Sequence, residues 1–196
     1  MFKSFFTYVA VAVTLAGCAA GQQINMAYKP TPQKQEARKS SVKISVVDER
    51  SEIKNGRKST WFIGSYPGSF SIPMDVSNYR NKPLADQISQ DLQAELKNLG
   101  YQEVAGDQPQ KQLSVRILEW SFDGVVNATF RYELQMFITD MTGKQIYAKT
   151  LKENKEVEGT VFSGIKPGME KNLPIFYNGM IRAILRSNKD AMEALQ

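Results

Sequence analysis

The sequence predicts an α+β domain of two layers, an antiparallel β-sheet with two helices packed on one of its faces. The element order is a strand and β-hairpin, a helix, three antiparallel strands and a helix, or β-hairpin-α-βββ-α. Two observations carry this prediction. Residues 129–139, apart from Phe137, alternate between apolar and polar, the signature of a strand with one buried face. On either side of the strand region, apolar residues recur at three- and four-residue steps, as on amphipathic helices.

The chain begins differently from a folded domain. Lys3 precedes an apolar run from Phe5 to Leu15, with Thr7 and Thr14 inside it, and the run closes on Leu15-Ala16-Gly17-Cys18. Such a run is shorter than the ~20 apolar residues that span a bilayer. Together with the small residues before the sole cysteine, it has the layout of a lipoprotein signal peptide and lipobox. Residues 1–17 are therefore expected to be removed. Cys18 is the expected lipidation site, carrying a diacylglycerol thioether and an N-acyl chain such as palmitate. Several acyl chains, at ~0.8 kcal/mol per buried methylene, would make attachment permanent. Ala19 rather than aspartate follows the cysteine, which by resemblance to the sorting rule of enteric bacteria favours the outer membrane. The expected location is periplasm-facing, on the outer membrane of a Gram-negative cell.

Residues 18–41 read as a lipidated flexible tether. Ala-Ala-Gly-Gln-Gln, Pro30, Pro32 and a Gln/Lys/Glu/Arg/Ser run show no apolar period, and a coil of this length would average roughly 25–30 Å end to end. Residues 42–196 are then a single domain, long enough to bury a core. The net charge of +5 is concentrated in residues 29–58, which hold nine Lys or Arg against four Asp or Glu. That excess beside the anchor either favours an anionic lipid surface or is a solvated linker. It is not the aromatic-lined groove of a nucleic-acid protein, so no nucleic-acid partner is expected.

Within the domain, Val42 to Val47 alternate as a first strand and stop at Asp48-Glu49-Arg50. Asp48 and Arg50 are placed to pair across a turn. Residues 51–82 combine Gly56, Gly64, Pro67, Gly68 and Pro73 with Trp61, Phe62, Tyr66, Phe70 and Tyr79. A structureless loop of that length is unusual, and a hairpin is expected with strands Thr60–Ser65 and Ser69–Met74. Trp61, Phe62, Tyr66 and Phe70 are the candidate partner-binding residues, since Trp and Tyr are favoured at interfaces; the alternative is that these rings cover one end of the sheet. Pro83 opens a helix whose apolar stripe is Leu84, Ile88, Leu92, Leu96 and Leu99, with Gln87, Gln90, Asp91, Gln93, Glu95 and Lys97 on the polar side. Gly100 closes it and Tyr101 packs back on it.

A strand from Leu113 to Trp120 follows, then Thr129–Thr139 with Phe130, Tyr132, Leu134, Met136 and Ile138 on the face towards the helices. Asp140 to Lys144 is a hairpin loop. Ile146, Ala148 and Thr150 return on a fourth strand, with Tyr147, Lys149 and Leu151 on its other face. The last helix is expected from about Asn172 to Leu195.

The chemistry-bearing patterns are missing. Without histidine there is no common general base, no usual zinc ligand and no serine–histidine or cysteine–histidine pair. A lone cysteine has no disulfide partner within the chain. Carboxylate pairs such as Asp86 with Asp91 and Glu153 with Glu156 read as solvated surface. No metal site, no cofactor beyond the covalent lipid and no enzymatic activity are expected. A serine–lysine dyad or a carboxylate-based hydrolase of an envelope polymer has no motif in its favour.

The lipobox, Asp48-x-Arg50, Ile63-Gly64, Leu96-x-x-Gly100-Tyr101 and the late Val157-Glu158-Gly159 resemble the YajG-like family of bacterial envelope lipoproteins. The likeness covers most of the mature chain through turn and packing residues, and this chain departs from it in the longer aromatic segment 51–82. It implies an outer-membrane lipoprotein with no assigned reaction and no active-site residues to carry over. A looser likeness is to auxiliary lipoproteins of envelope transport systems. Three functions follow as expectations: a tethered binding or assembly module for an envelope protein, an auxiliary subunit handling lipid or another apolar ligand, and a hydrolase.

Overall fold

A computed structural model describes residues 22–32, 40–67, 72–101, 109–124, 128–157, 165–186 and 188–196. Cys18 and Phe70 lie outside the described residues, as do residues 158 and 159 of the late Val-Glu-Gly motif.

Seven strands form two sheets among these residues. The larger contains β2 (Val42–Asp48), β5 (Lys111–Gly124), β6 (Ala128–Asp140) and β7 (Gln145–Val157), in the order β2-β5-β6-β7. β5, β6 and β7 are antiparallel, as alternation predicts. β2 is parallel to β5, with Ile44 beside Leu113 and Val46 beside Val115, so the sheet is mixed rather than wholly antiparallel. Direction is invisible in a strand's own pattern, which is the same whichever way its neighbour runs.

The hairpin does not join this sheet. β3 (Phe62–Pro67) and β4 (Pro73–Asn78) pair with β1 (Gln22–Ile24) in a second sheet of order β1-β4-β3. The hairpin strands start two or more residues later than the sequence indicates. β3 lies across β5: the Trp120 indole Nε1 donates to the Ile63 carbonyl at 3.2 Å. A Cβ on Gly64 would sit 2.7 Å from Phe122 Cβ, so only glycine permits this crossing.

Four helices complete the fold among the described residues: α1 (Ser51–Lys54), α2 (Leu84–Asn98), α3 (Ile165–Ile184) and α4 (Lys189–Ala194). α2 follows its predicted stripe, and its end is a Schellman turn. Gly100 has φ +88°, Tyr101 N–H donates to Leu96 O at 3.1 Å and Gly100 N–H to Lys97 O at 3.0 Å. The single expected C-terminal helix is instead two. Asn188 breaks it, because its side chain caps α4 at Ala191 N–H and also meets the Tyr147 hydroxyl.

The core lies between the large sheet and α2 and α3. Trp120 meets Phe130 and Tyr177 edge-on, and Phe176 stacks on Phe130 at 5.7 Å. On β7 the core takes Tyr147 and Leu151, while Ala148 and Thr150 are exposed. A bulge after Ile138 leaves Ile146 as the extra residue and sets that parity.

The largest departure is at the N-terminal side. The flexible tether expected over residues 18–41 does not hold for residues 22–32. Ile24, Met26 and Tyr28 are buried in the core, alternating with exposed Gln23, Asn25 and Ala27. This is a period-two segment that polar neighbours concealed.

Candidate partner-binding surface

Of the four aromatic residues singled out in the sequence, Phe70 lies outside the described residues, and the other three differ in exposure. Trp61 is 37 % exposed. Phe62 is buried, its ring beneath the Lys58 ammonium, which also pairs with Asp75 at 2.6 Å. Tyr66 is half-buried against the core, so Phe62 and Tyr66 belong to packing rather than to a free face.

A different group stands beside Trp61. The Trp61 carbonyl accepts from Asn78 N–H at 2.8 Å, and Tyr79, the next residue, is 45 % exposed. The Arg80 guanidinium lies 5.2 Å from the Tyr79 ring centre. Arg80 and Asn81 both have left-handed backbones, φ +55° and +52°. Asparagine tolerates this conformation, but for an arginine it costs about 1–2 kcal/mol. Something must hold the turn, and two side chains do. Buried Asn78 accepts from Tyr79 N–H and donates to the Lys82 carbonyl and the Gln87 amide. From β1, Gln23 donates to Asn81 and accepts from Arg80 N–H. The turn that carries Tyr79 and Arg80 is therefore fixed by hydrogen bonds within the fold. Asn78-Tyr79-Arg80-Asn81 was the available signal, since paired asparagines mark turns; Gln23 carried none.

Segment 22–32 is held by polar as well as apolar contacts. The Tyr28 hydroxyl donates to Glu95 Oε2 at 2.7 Å, and Arg186 Nε donates to Glu95 Oε1. Arg186 and Asn98 also donate to the Thr31 carbonyl, and Asn178 binds both Ala27 O and Lys29 N–H. Glu95, assigned to the polar side of α2 by its pattern, is fully buried, and Gln87 nearly so. Both flank the Leu84–Ile88–Leu92 stripe, where Tyr28 meets Glu95 and Asn78 meets Gln87.

The remaining buried ionisable groups are paired in the same fashion. Arg50, fully buried, donates to Asp48 at 2.6 and 2.9 Å and to the Phe62 carbonyl at 3.0 Å, which is the pairing expected across the turn. Tyr177 donates to Asp91 at 2.6 Å and Tyr132 to Glu153 at 3.0 Å. Asp91 is thus the half-buried partner of a buried tyrosine rather than solvated surface, whereas Glu153 keeps an exposed side chain that also pairs with Lys155 at 2.9 Å. Burial raises the Tyr28, Tyr132 and Tyr177 hydroxyls well above the usual phenol range, and the neighbouring carboxylates raise them further. Each tyrosine stays a neutral donor. Burial also raises the Asp91 carboxyl above its ordinary value, against the hydrogen bonds from Tyr177 and Gln87. Among the described residues, no group of three His, Cys, Asp or Glu converges as metal ligands.

The face of the large sheet turned away from the helices is polar, with a hollow of about 410 Å³ lined by Gln135, Phe137, Ala148, Lys149 and Thr150. No helix among the described residues is long and apolar enough to cross a membrane.

No family model matches the sequence, and no curated protein is similar to it by sequence. The fold has solved counterparts. A Xanthomonas campestris protein assigned to the family DUF330 superposes with a TM-score of 0.54 at 10% identity, over 83% of this chain and 94% of that one. A minor lipoprotein from Acinetobacter baumannii gives 0.43 at 12% identity, over 79% of this chain and 94% of its own. The first shows that the fold is shared.

Proposed function

We propose that this protein is a lipid-anchored binding or assembly module of the bacterial envelope, facing the periplasm from the outer membrane, which holds a protein partner without catalysing a reaction. The observation that carries this reading is the rim of Trp61, Tyr79 and Arg80. Its two aromatic rings and guanidinium are exposed on a backbone that carries local strain, and Gln23 and Asn78 hold that backbone in place. Strain retained at an exposed aromatic turn is characteristic of recognition sites, and Trp, Tyr and Arg are the residues that dominate interface energies. Anchorage rests on the lipobox ending at Cys18.

The auxiliary-transport alternative needs an apolar cavity between helices and sheet. Trp120, Phe130, Phe176 and Tyr177 are in ring contact across that space, which favours the binding module.

A photo-cross-linking residue placed at Trp61 or Tyr79 in cells should yield one discrete adduct, and Arg80→Glu should abolish it. The same residue at Met141, exposed in the distant β6–β7 turn, should not yield that adduct. No adduct at the rim, or the same adduct from Met141, would reject the surface. Cys18→Ser should abolish fatty-acid labelling, and persistent label would reject the anchor.

A further inference from the structure

We infer that β7 is a docking edge for a second copy of this chain. The two strands pair antiparallel about a two-fold axis at Asn154 and join two four-stranded sheets into one. β7 ends the large sheet and pairs only with β6. Alternate residues of an edge strand turn their main-chain N–H and C=O groups outwards. Among the described residues, no backbone–backbone hydrogen bond of residues 146–157 runs to anything but β6. Lys152, Asn154, Lys155 and Glu156 are exposed along this edge. The edge belongs to the large sheet, whereas the rim of Trp61, Tyr79 and Arg80 adjoins the small one, so the two surfaces are separate.

The order of charges identifies the occupant. Charged residues on an edge usually block pairing between sheets. Residues 152–156 read Lys-Glu-Asn-Lys-Glu, and a reversed copy of that run meets it with opposite signs throughout. Opposed residues in an antiparallel pair share a face, and a two-fold pair sets one residue opposite itself. With Asn154 at that point, Lys152 opposes the partner's Glu156 on the face away from the helices. Glu153 opposes the partner's Lys155 on the other face. The two Asn154 amides meet at the axis, each with a donor and an acceptor. Centring on Lys152 or Lys155 sets lysine against lysine, and centring on Glu153 or Glu156 sets glutamate against glutamate, so like charges disfavour those registers. The fold holds three of the four charges in place. Lys152 donates to Glu133 at 2.8 Å, and Glu153 accepts from Tyr132 at 3.0 Å and pairs with Lys155 at 2.9 Å. Among the described residues, Glu156 has no ion pair within its own chain.

Cysteine substitutions in the full chain, expressed in cells and oxidised with copper–phenanthroline, test the pair. Opposed Cα atoms lie about 4.5–5.5 Å apart, within reach of a disulfide. The two Thr150 positions would be roughly 26 Å apart. Asn154→Cys should therefore give a disulfide-linked dimer many times above the level of the unsubstituted protein, which carries only Cys18, and Thr150→Cys should not. In the Asn154→Cys background, Glu156→Lys sets lysine against Lys152 and should cut the dimer several-fold. Adding Lys152→Glu restores opposite signs and should recover it. No dimer from Asn154→Cys, equal cross-linking at position 150, or no recovery in the double exchange overturns the inference. A disulfide from position 154 to a different protein overturns it as well.

Discussion

Arg50 is a fully buried charge whose carboxylate partner lies two residues before it in the chain. Asp48-x-Arg50 is spaced for a turn, and the guanidinium is buried with its donors on Asp48 and Phe62. Removing one partner leaves an uncompensated buried charge. Asp48→Ala should therefore lower unfolding free energy by about 3–5 kcal/mol in urea titrations, and Asp48→Leu with Arg50→Met should recover much of it. Asp91 behaves oppositely. Burial raises its carboxyl in the folded state, so the stability it contributes is fully present below the ordinary carboxylate range and is lost as pH rises through the folded value. Asp91→Asn keeps an acceptor for Tyr177 and has no charge to desolvate. It should be more stable than the parent near pH 7 and lose that advantage below about pH 4, measured by denaturant midpoint across the range. Neither the burial of Asp91 nor that of Glu95 was legible in the sequence, because both occupy the rim of an amphipathic stripe. Whether a rim position meets water or another segment depends on residues Tyr177 and Tyr28, far away in the chain.

At the scale of elements, the alternation of β6 and the stripe of α2 predicted the sheet and helix faces well, since both periods arise from local backbone geometry. They failed where one residue changes the phase. The bulge after Ile138 turns Tyr147 and Leu151 inward. Asn188 divides the last helix so that Leu185 and Leu195 can both be buried. Asn188→Ala removes the cap of α4 and its contact with Tyr147, and should cost about 1–2 kcal/mol. The loss should appear as increased amide exchange confined to α4 and the facing part of β7. Uniform exchange change, or none, would show that the break is not held by this residue.

At the scale of the whole molecule, segment 22–32 decides the architecture. It is the first strand of the small sheet, it meets α2 through Tyr28 and Thr31 and α3 through Ala27 and Lys29, and its Gln23 fastens the turn that exposes Tyr79 and Arg80. A variant lacking residues 22–32 would expose the sites of Ile24, Met26 and Tyr28. It should lose several kcal/mol of stability at roughly 1.5–3 kcal/mol per buried side chain, with the rim loosened as well. A true tether could be removed without change in unfolding midpoint. The sequence by itself determined the α+β class, the helix and strand faces, the Asp48–Arg50 pair and the lipobox, because each is set by residues close together in the chain. Tertiary structure alone decided that β2 runs parallel to β5, that the hairpin joins β1 in a separate sheet and that a polar-looking leader is part of the core. Those features depend on contacts between distant segments, and a pattern of three alternating apolar residues acquires meaning only from the surface it meets.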